Sequence, residues 1–192
     1  MRIISGKFRG RVLVSFQADH IRPTTDRVKE SIFNKLQGLV EDARVLDLFS
    51  GTGNLTCECV SRGAAHVDAV ELNRKSIVII RDNLKLLGIG DEVRVFQDDV
   101  IKYLKRYEGP AYDLVIADPP FTEKMADQVL QALSASGAVG AQTTVVTESS
   151  SHETVADSYP NLEKYDERDY GDKRVSFWRR PEVEEPAPTA GD

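Results

Sequence analysis

Asp118-Pro119-Pro120-Phe121, which follows the apolar run Leu114-Val115-Ile116-Ala117, is the segment best equipped for chemistry. Proline has no N–H to give to a central ladder, so two in succession end a strand and form a rigid ledge. The ledge carries one carboxylate, carbonyls with no competing N–H beside them, and a flat ring. That set suits a planar group bearing an NH2. An exocyclic amine of a base is a poor nucleophile, because its lone pair is delocalised into the ring. Asp118 and the Pro119 carbonyl can accept from its two N–H groups and draw the nitrogen towards tetrahedral geometry, with Phe121 stacked on the base. The bland alternative for the tetrapeptide is a tight structural turn.

Upstream, Asp47-Leu48-Phe49-Ser50-Gly51-Thr52-Gly53 ends a second apolar run. A dinucleotide fingerprint wants glycine or alanine three residues after the second loop glycine, and Thr56 stands there. Asp47 would also repel a pyrophosphate. S-adenosylmethionine carries no phosphate and offers an ammonium that Asp47 can hold, while Ser50, Gly51 and Gly53 let the backbone approach closely. Glu71 closes the next strand and can accept from both ribose hydroxyls. Asp99, at the end of the third strand, can accept from an adenine amine. Leu72 and Val100, adjacent in sequence to these acids, complete the cofactor set. Each acid alone could be a helix cap or turn residue, and ribose-binding acids also serve nicotinamide enzymes. The series at three successive strand ends speaks for a ligand. With the ledge, it points to methyl transfer from S-adenosylmethionine to an exocyclic amine.

These residues need a scaffold that delivers them to one rim. From Ala43 onward the pattern alternates strand and helix, with strands expected over 44–49, 66–72, 93–96, 112–117, 143–147 and 173–178. Helices are expected over 54–62, 75–87, 99–106 and 123–133, and Gly88 is a left-handed C-cap for the second. Val28, Ile32, Phe33, Leu36 and Val40 recur at helical spacing after Thr24 and Thr25, candidate caps, with Asp26 in the first turn. Arg2-Ile3-Ile4 and Arg11-Val12-Leu13-Val14 flank Gly6 and Gly10 as a short basic hairpin. The alternation implies an α/β protein with a mainly parallel sheet covered on both faces. Ligands in such sheets bind beyond the carboxyl ends of the strands.

The chain has 192 residues, enough for one substantial core, and no apolar run long enough for a membrane span or signal peptide. A reducing cytoplasm suits its two cysteines, Cys57 and Cys59, whose spacing in a helix makes neither a disulfide framework nor a metal set. No metal is expected, and His20, His66 and His152 form no arrangement with a nucleophile. The net charge of −6 divides unevenly: residues 1–35 carry eight Lys/Arg against three Asp/Glu, +5, so the remainder carries −11. A basic patch on an acidic protein is a footprint for phosphates, or else a merely solvated face.

Three segments resemble the bacterial 16S ribosomal RNA guanine-N2 methyltransferase family, within the class I methyltransferase fold. They are Arg22-Pro23-Thr24-Thr25-Asp26-Arg27-Val28-Lys29-Glu30, Leu46–Gly53 continuing to Ser61-Arg62-Gly63-Ala64, and the 118–121 tetrapeptide; Tyr170-Gly171-Asp172 also fits. The resemblance implies a Rossmann-like, mainly parallel seven-stranded sheet with helices on both faces, preceded by a small β-hairpin. Residues 1–20 are then a basic extension, 21–180 the methyltransferase domain, and 181–192 a disordered acidic tail. It further implies that Arg2, Lys7, Arg9, Arg11, Arg22 and Arg27 meet RNA, and that Thr24 and Thr25 lie over the cofactor. The partner would be 16S ribosomal RNA or a small-subunit assembly intermediate, met by a monomer. The chain departs from the family pattern at Asn54, the cysteines, Lys173-Arg174 and the tail, none of them expected to touch the chemistry. Rival readings are methylation of DNA adenine or cytosine or of a protein glutamine, and a non-catalytic RNA-binding assembly factor. The 35 N-terminal residues leave little room for a DNA-recognition region.

Overall fold

A computed structural model describes residues 1–15 and 26–181 of the chain. Arg22, Thr24, Thr25 and the acidic tail after Pro181 lie outside the described residues. Five strands, β1 (Arg44–Leu48), β2 (His66–Glu71), β3 (Val93–Gln97), β4 (Tyr112–Ala117) and β5 (Val139–Ser150), pair in parallel. β6 (Ser158–Tyr159), β7 (Leu162–Tyr170) and β8 (Lys173–Arg179) extend the sheet by antiparallel pairing, in the order β3-β2-β1-β4-β5-β8-β7-β6. The sheet therefore has eight strands rather than seven. The surplus is the two-residue β6 on the outer edge, and β7 is a strand that the sequence pattern does not announce.

The helices are α1 (Asp26–Lys35), α2 (Asn54–Ser61), α3 (Arg74–Leu87), α4 (Val100–Lys105) and α5 (Ala126–Ser134). Alternation along the strands divides the core into two layers. Val45, Val67, Ala69, Leu114, Ile116 and Val146 face α1, α2 and α3, while Leu46, Leu48, Val70, Val115, Ala117 and Val145 face α4 and α5. Asn73 caps α3 by accepting from the Lys75 and Ser76 N–H groups, and Gly88 ends it at φ 67°, the left-handed conformation that suits glycine. The stretch expected to be helical from 123 begins instead as a 3-10 turn over Phe121–Glu123, and α5 starts at Ala126. The two prolines hold the preceding chain extended, which delays the helix.

The N-terminal residues form a hairpin held by a single antiparallel bridge, Arg2 with Val12, in which Ile3 N–H donates to the Arg11 carbonyl and Leu13 N–H to that of Met1, at 2.9 and 3.0 Å. Ile3 and Leu13 are buried in the same core layer as α1 and β1. The hairpin is thus packed onto the sheet's helical cover. No helix among the described residues is long and apolar enough to cross a membrane.

Candidate active site

The parallel register brings the expected site residues to one rim. Leu48 pairs with both Val70 and Ala117, and Ala117 pairs with Thr147. One step further along each strand, Glu71, Phe49, Asp118 and Glu148 therefore form a row across the carboxyl ends. Neighbouring strands lie about 4.8 Å apart, which places Glu71 and Asp118 roughly 10 Å from each other. By strand alternation Asp47, Glu71, Asp118 and Glu148 share the face covered by α1 to α3.

The loop after β1 is shaped by backbone conformation. Phe49, Gly51 and Gly53 adopt φ 60°, 56° and 78°. Such angles cost a non-glycine residue on the order of 1–2 kcal/mol, so the strain at Phe49 is held by its surroundings. The Glu71 carboxylate accepts from Gly51 N–H at 2.8 Å and from Asn73 N–H at 2.7 Å, tying the glycine loop to the end of β2. Ser50 is buried, and its hydroxyl donates to the Asp47 carbonyl at 2.8 Å. Asp47 lies beneath the loop, 1% exposed, where the Thr56 hydroxyl donates to it. Burial pushes its carboxyl up to about 7, against the opposing hydrogen bonds from Thr56 and Ser50. Asp99 accepts from Lys102 N–H as the cap of α4, and the Val100 side chain packs into the core, leaving its main chain at the rim. Leu72 stands 63% exposed beside Glu71.

At the ledge, Asp118 is half-buried, Pro119 buried, Pro120 exposed and Phe121 partly exposed. Asp118 N–H donates to the Leu48 carbonyl at 3.4 Å, continuing the β1–β4 ladder one residue past the strand. Lys173 does touch this region, contrary to the expectation that the residues departing from the family pattern would not. Its Nζ lies 4.7 Å from the centroid of the Phe121 ring and 2.6 Å from Glu148 Oε2. A lysine at the very start of the last strand reads as solvated; only the β5–β8 pairing brings it under the ledge.

A second buried cluster also escapes sequence reasoning. Lys29 and Glu58, both 0% exposed, form an ion pair at 3.0 Å. Lys29 Nζ also donates to the Arg2 carbonyl at 2.6 Å and to Asn54 Oδ1 at 2.9 Å, while Glu58 accepts from Ile4 and Ser5 N–H. Asn83 joins Val14 to the Thr52 carbonyl. Hairpin, α1 and glycine loop are one connected network. The available signal was a charge at i−3 and i−4 from Ile32 and Phe33, inside an apolar stripe.

Among the expected RNA contacts Arg2, Lys7, Arg9, Arg11 and Arg27 are exposed. Arg2 pairs with Asp26 at 2.8 Å and Lys7 with Glu92 at 3.7 Å, and Arg11 donates to the Leu86 carbonyl.

The residues at the rim fit a nucleoside cofactor without phosphates. The loop from Asp47 to Thr56 contains no Lys or Arg to neutralise a pyrophosphate. A side chain at Gly51 would project from the loop with only the Phe49 carbonyl oxygen near it, at 3.9 Å, so that glycine serves its backbone angle and an open approach. Each oxygen of Glu71 keeps acceptor capacity after its main-chain bond, enough for two hydroxyls.

Five parallel strands ending in this loop and these rim acids, flanked by an antiparallel extension, define a class I methyltransferase. The chain belongs to the family described as "Conserved hypothetical protein 95", which matches residues 1–179. Ribosomal RNA small subunit methyltransferase D of Escherichia coli (strain K12) is 34% identical over 149 residues, 78% of this chain and 74% of its own length. The protein of the same name from Haemophilus influenzae is 36% identical over 135 residues, 69% and 70% of the two chains. The solved structure of yhhF from Escherichia coli matches with a TM-score of 0.80 at 32% identity, covering 94% of this chain and 97% of that one. A ribosomal protein L11 methylase from Lactobacillus delbrueckii subsp. bulgaricus shares the fold, with a TM-score of 0.67 at 16% identity over 79% and 77% of the chains.

Proposed function

We propose that the protein transfers a methyl group from S-adenosylmethionine to the exocyclic N2 amine of a guanine in 16S ribosomal RNA. It works in the cytoplasm as a monomer, on the RNA or on a partly assembled small subunit. The observation that carries this reading is the register that sets the amine-gripping ledge and the ribose-accepting Glu71 in one row. The activity named for the relatives supports ribosomal RNA as the substrate class.

When bound, the cofactor supplies a methyl group on a sulfonium, already a good leaving group. What the chain adds is placement. Glu71 accepts from the ribose hydroxyls, Leu72 offers an exposed apolar surface to the adenine, and Asp99 with the Val100 main chain meets its polar edge. Asp47 meets the ammonium end from beneath the loop. Asp118 and the Pro119 carbonyl accept from the two N–H groups of the target amine, so the lone pair points away from both. Phe121 stacks on the base, which must leave any helix it belongs to. Holding nitrogen and methyl in line can account for a large part of the acceleration.

Incubation with labelled S-adenosylmethionine and small-subunit RNA, followed by digestion to nucleosides, tests the reading. N2-methylguanosine is the expected product. Label in methylated adenine, cytosine or glutamine would replace the substrate assignment, and cofactor binding without turnover on RNA or subunits would favour an assembly factor.

A further inference from the structure

We propose that Lys173, locked by Glu148, is a positioning residue that holds one face of the Phe121 ring and so reserves the other for the target base. The inference rests on the base-stacking role proposed above for Phe121. Three observations carry it. First, Phe121 stands on a short 3-10 turn after Pro120, outside the sheet and partly exposed, so the turn alone does little to fix its ring. Second, the lysine and its partner are rooted in two adjacent sheet strands. Glu148 is fully buried in β5 and Lys173, 7% exposed, opens β8, with their heads 2.6 Å apart. Third, the ammonium lies 4.7 Å from the ring centroid, well inside the range of a cation–π contact.

Removing two charges from water is costly, and apolar residues often fill such places with no loss of stability. The pair is thus poorly explained as a stabilising device. What an apolar pair could not supply is a cation under the ring. That cation draws ring density towards the sheet and leaves the outer face poorer in electrons, a surface that favours an electron-rich purine. Glu148 follows Thr147, the partner of Ala117, and so stands beside Asp118 in the rim row. Amine acceptor and stacking ring are therefore both indexed to β5, the acceptor through its pairing with β4 and the ring through its pairing with β8.

The test is a cycle on RNA methylation. Lys173→Met with Glu148→Gln removes both charges together and leaves neither unpaired. This variant is expected to bind S-adenosylmethionine within about twofold of the parent, while kcat/KM for RNA falls about tenfold. Lys173→Arg keeps the cation and should restore most of the loss. In a Phe121→Leu background, removing the pair should add less than about twofold, because residues acting as one unit do not add. Parent-like kcat/KM in the charge-free variant, or an undiminished loss in the Phe121→Leu background, overturns the proposal. So does loss of cofactor binding, which would assign the pair to folding. Phe121→Leu alone separates the two readings: parent-like turnover there sinks base stacking itself, whereas a loss there beside an unaffected charge-free variant sinks only the role of Lys173.

Discussion

Glu71 holds its loop before it holds any ligand, since each carboxylate oxygen already accepts from a main-chain N–H. Glu71→Ala should therefore damage the cofactor site twice, losing the ribose acceptor and freeing the Gly51 N–H. A charge-assisted bond is worth roughly 1.5–3 kcal/mol, so calorimetry should show affinity for S-adenosylmethionine falling about 10- to 150-fold. Asp118→Ala should do the reverse, abolishing single-turnover methylation while cofactor affinity stays within about threefold, because Glu71, the proposed ribose acceptor, stands two strands away. Asp47 adds a pH dependence. Its carboxyl is pushed up to about 7 when folded and lies near 4 when unfolded, so between those values the folded protein binds the extra proton. Stability then falls as pH rises from about 4 to about 7, on the order of 2–4 kcal/mol from this group, and is flat above. Denaturation of wild-type protein and Asp47→Asn across that range should differ by this slope, and parallel curves would remove Asp47 as its source. An ammonium seated against Asp47 would also expel the proton, so heats of cofactor binding at pH 6 should depend on the buffer.

At the scale of elements, the Lys29–Glu58 pair fastens the hairpin and α1 to the helix that follows the glycine loop. Lys29→Met would leave Glu58 buried with Arg62, 17% exposed, as its remaining cation. The expected cost is about 3–5 kcal/mol, and adding Glu58→Gln should recover much of it. Thermal melts of the single and double variants check this, and equal melting points would dissolve the idea of a buried charge left stranded. The pair also shows where a sequence stops being legible. Helix α3 is readable because Ile77, Ile80, Leu84 and Leu87 repeat at its period and Gly88 follows them. The rim acids are readable because each ends an apolar run. Strand β7, Leu-Glu-Lys-Tyr-Asp-Glu-Arg-Asp-Tyr, has neither an apolar run nor a clean alternation. It is a strand because β8 pairs with it, through cross-strand pairs such as Arg179 with Glu163 and Arg174 with Asp169. Lys29, Glu148 and Lys173 fail for the same reason: a charge reads as solvated until its distant partner is known.

For the whole molecule, the divided charge gives the proposed RNA docking a direct test. If the exposed hairpin cations meet phosphates, Lys7→Ala or Arg9→Ala should lower the salt slope of RNA binding by about 0.7–0.9 each. Arg2→Ala should do less, since Asp26 lies 2.8 Å from its charge, closer than Glu92 lies to that of Lys7 at 3.7 Å. Titrations at several salt concentrations decide it, and slopes equal to wild type would move the docking surface elsewhere. Cofactor affinity should hold in all three, whereas deleting residues 1–12 also strips Ile4 and Ser5 N–H from buried Glu58 and should lower the melting temperature. The sheet order has a consequence for synthesis. The last strand made, β8, is inserted between β5 and β7. A nascent chain carries its glycine loop, rim acids and ledge well before that strand emerges, yet β5 still has an open edge and Phe121 still lacks the ammonium beneath it. A copy cut short before residue 173 would be both unfinished at the ledge and exposed along its 12-residue β5, a template for aggregation. Burial of that edge and placement of the ammonium beneath Phe121 thus arrive together, with the last strand to be made.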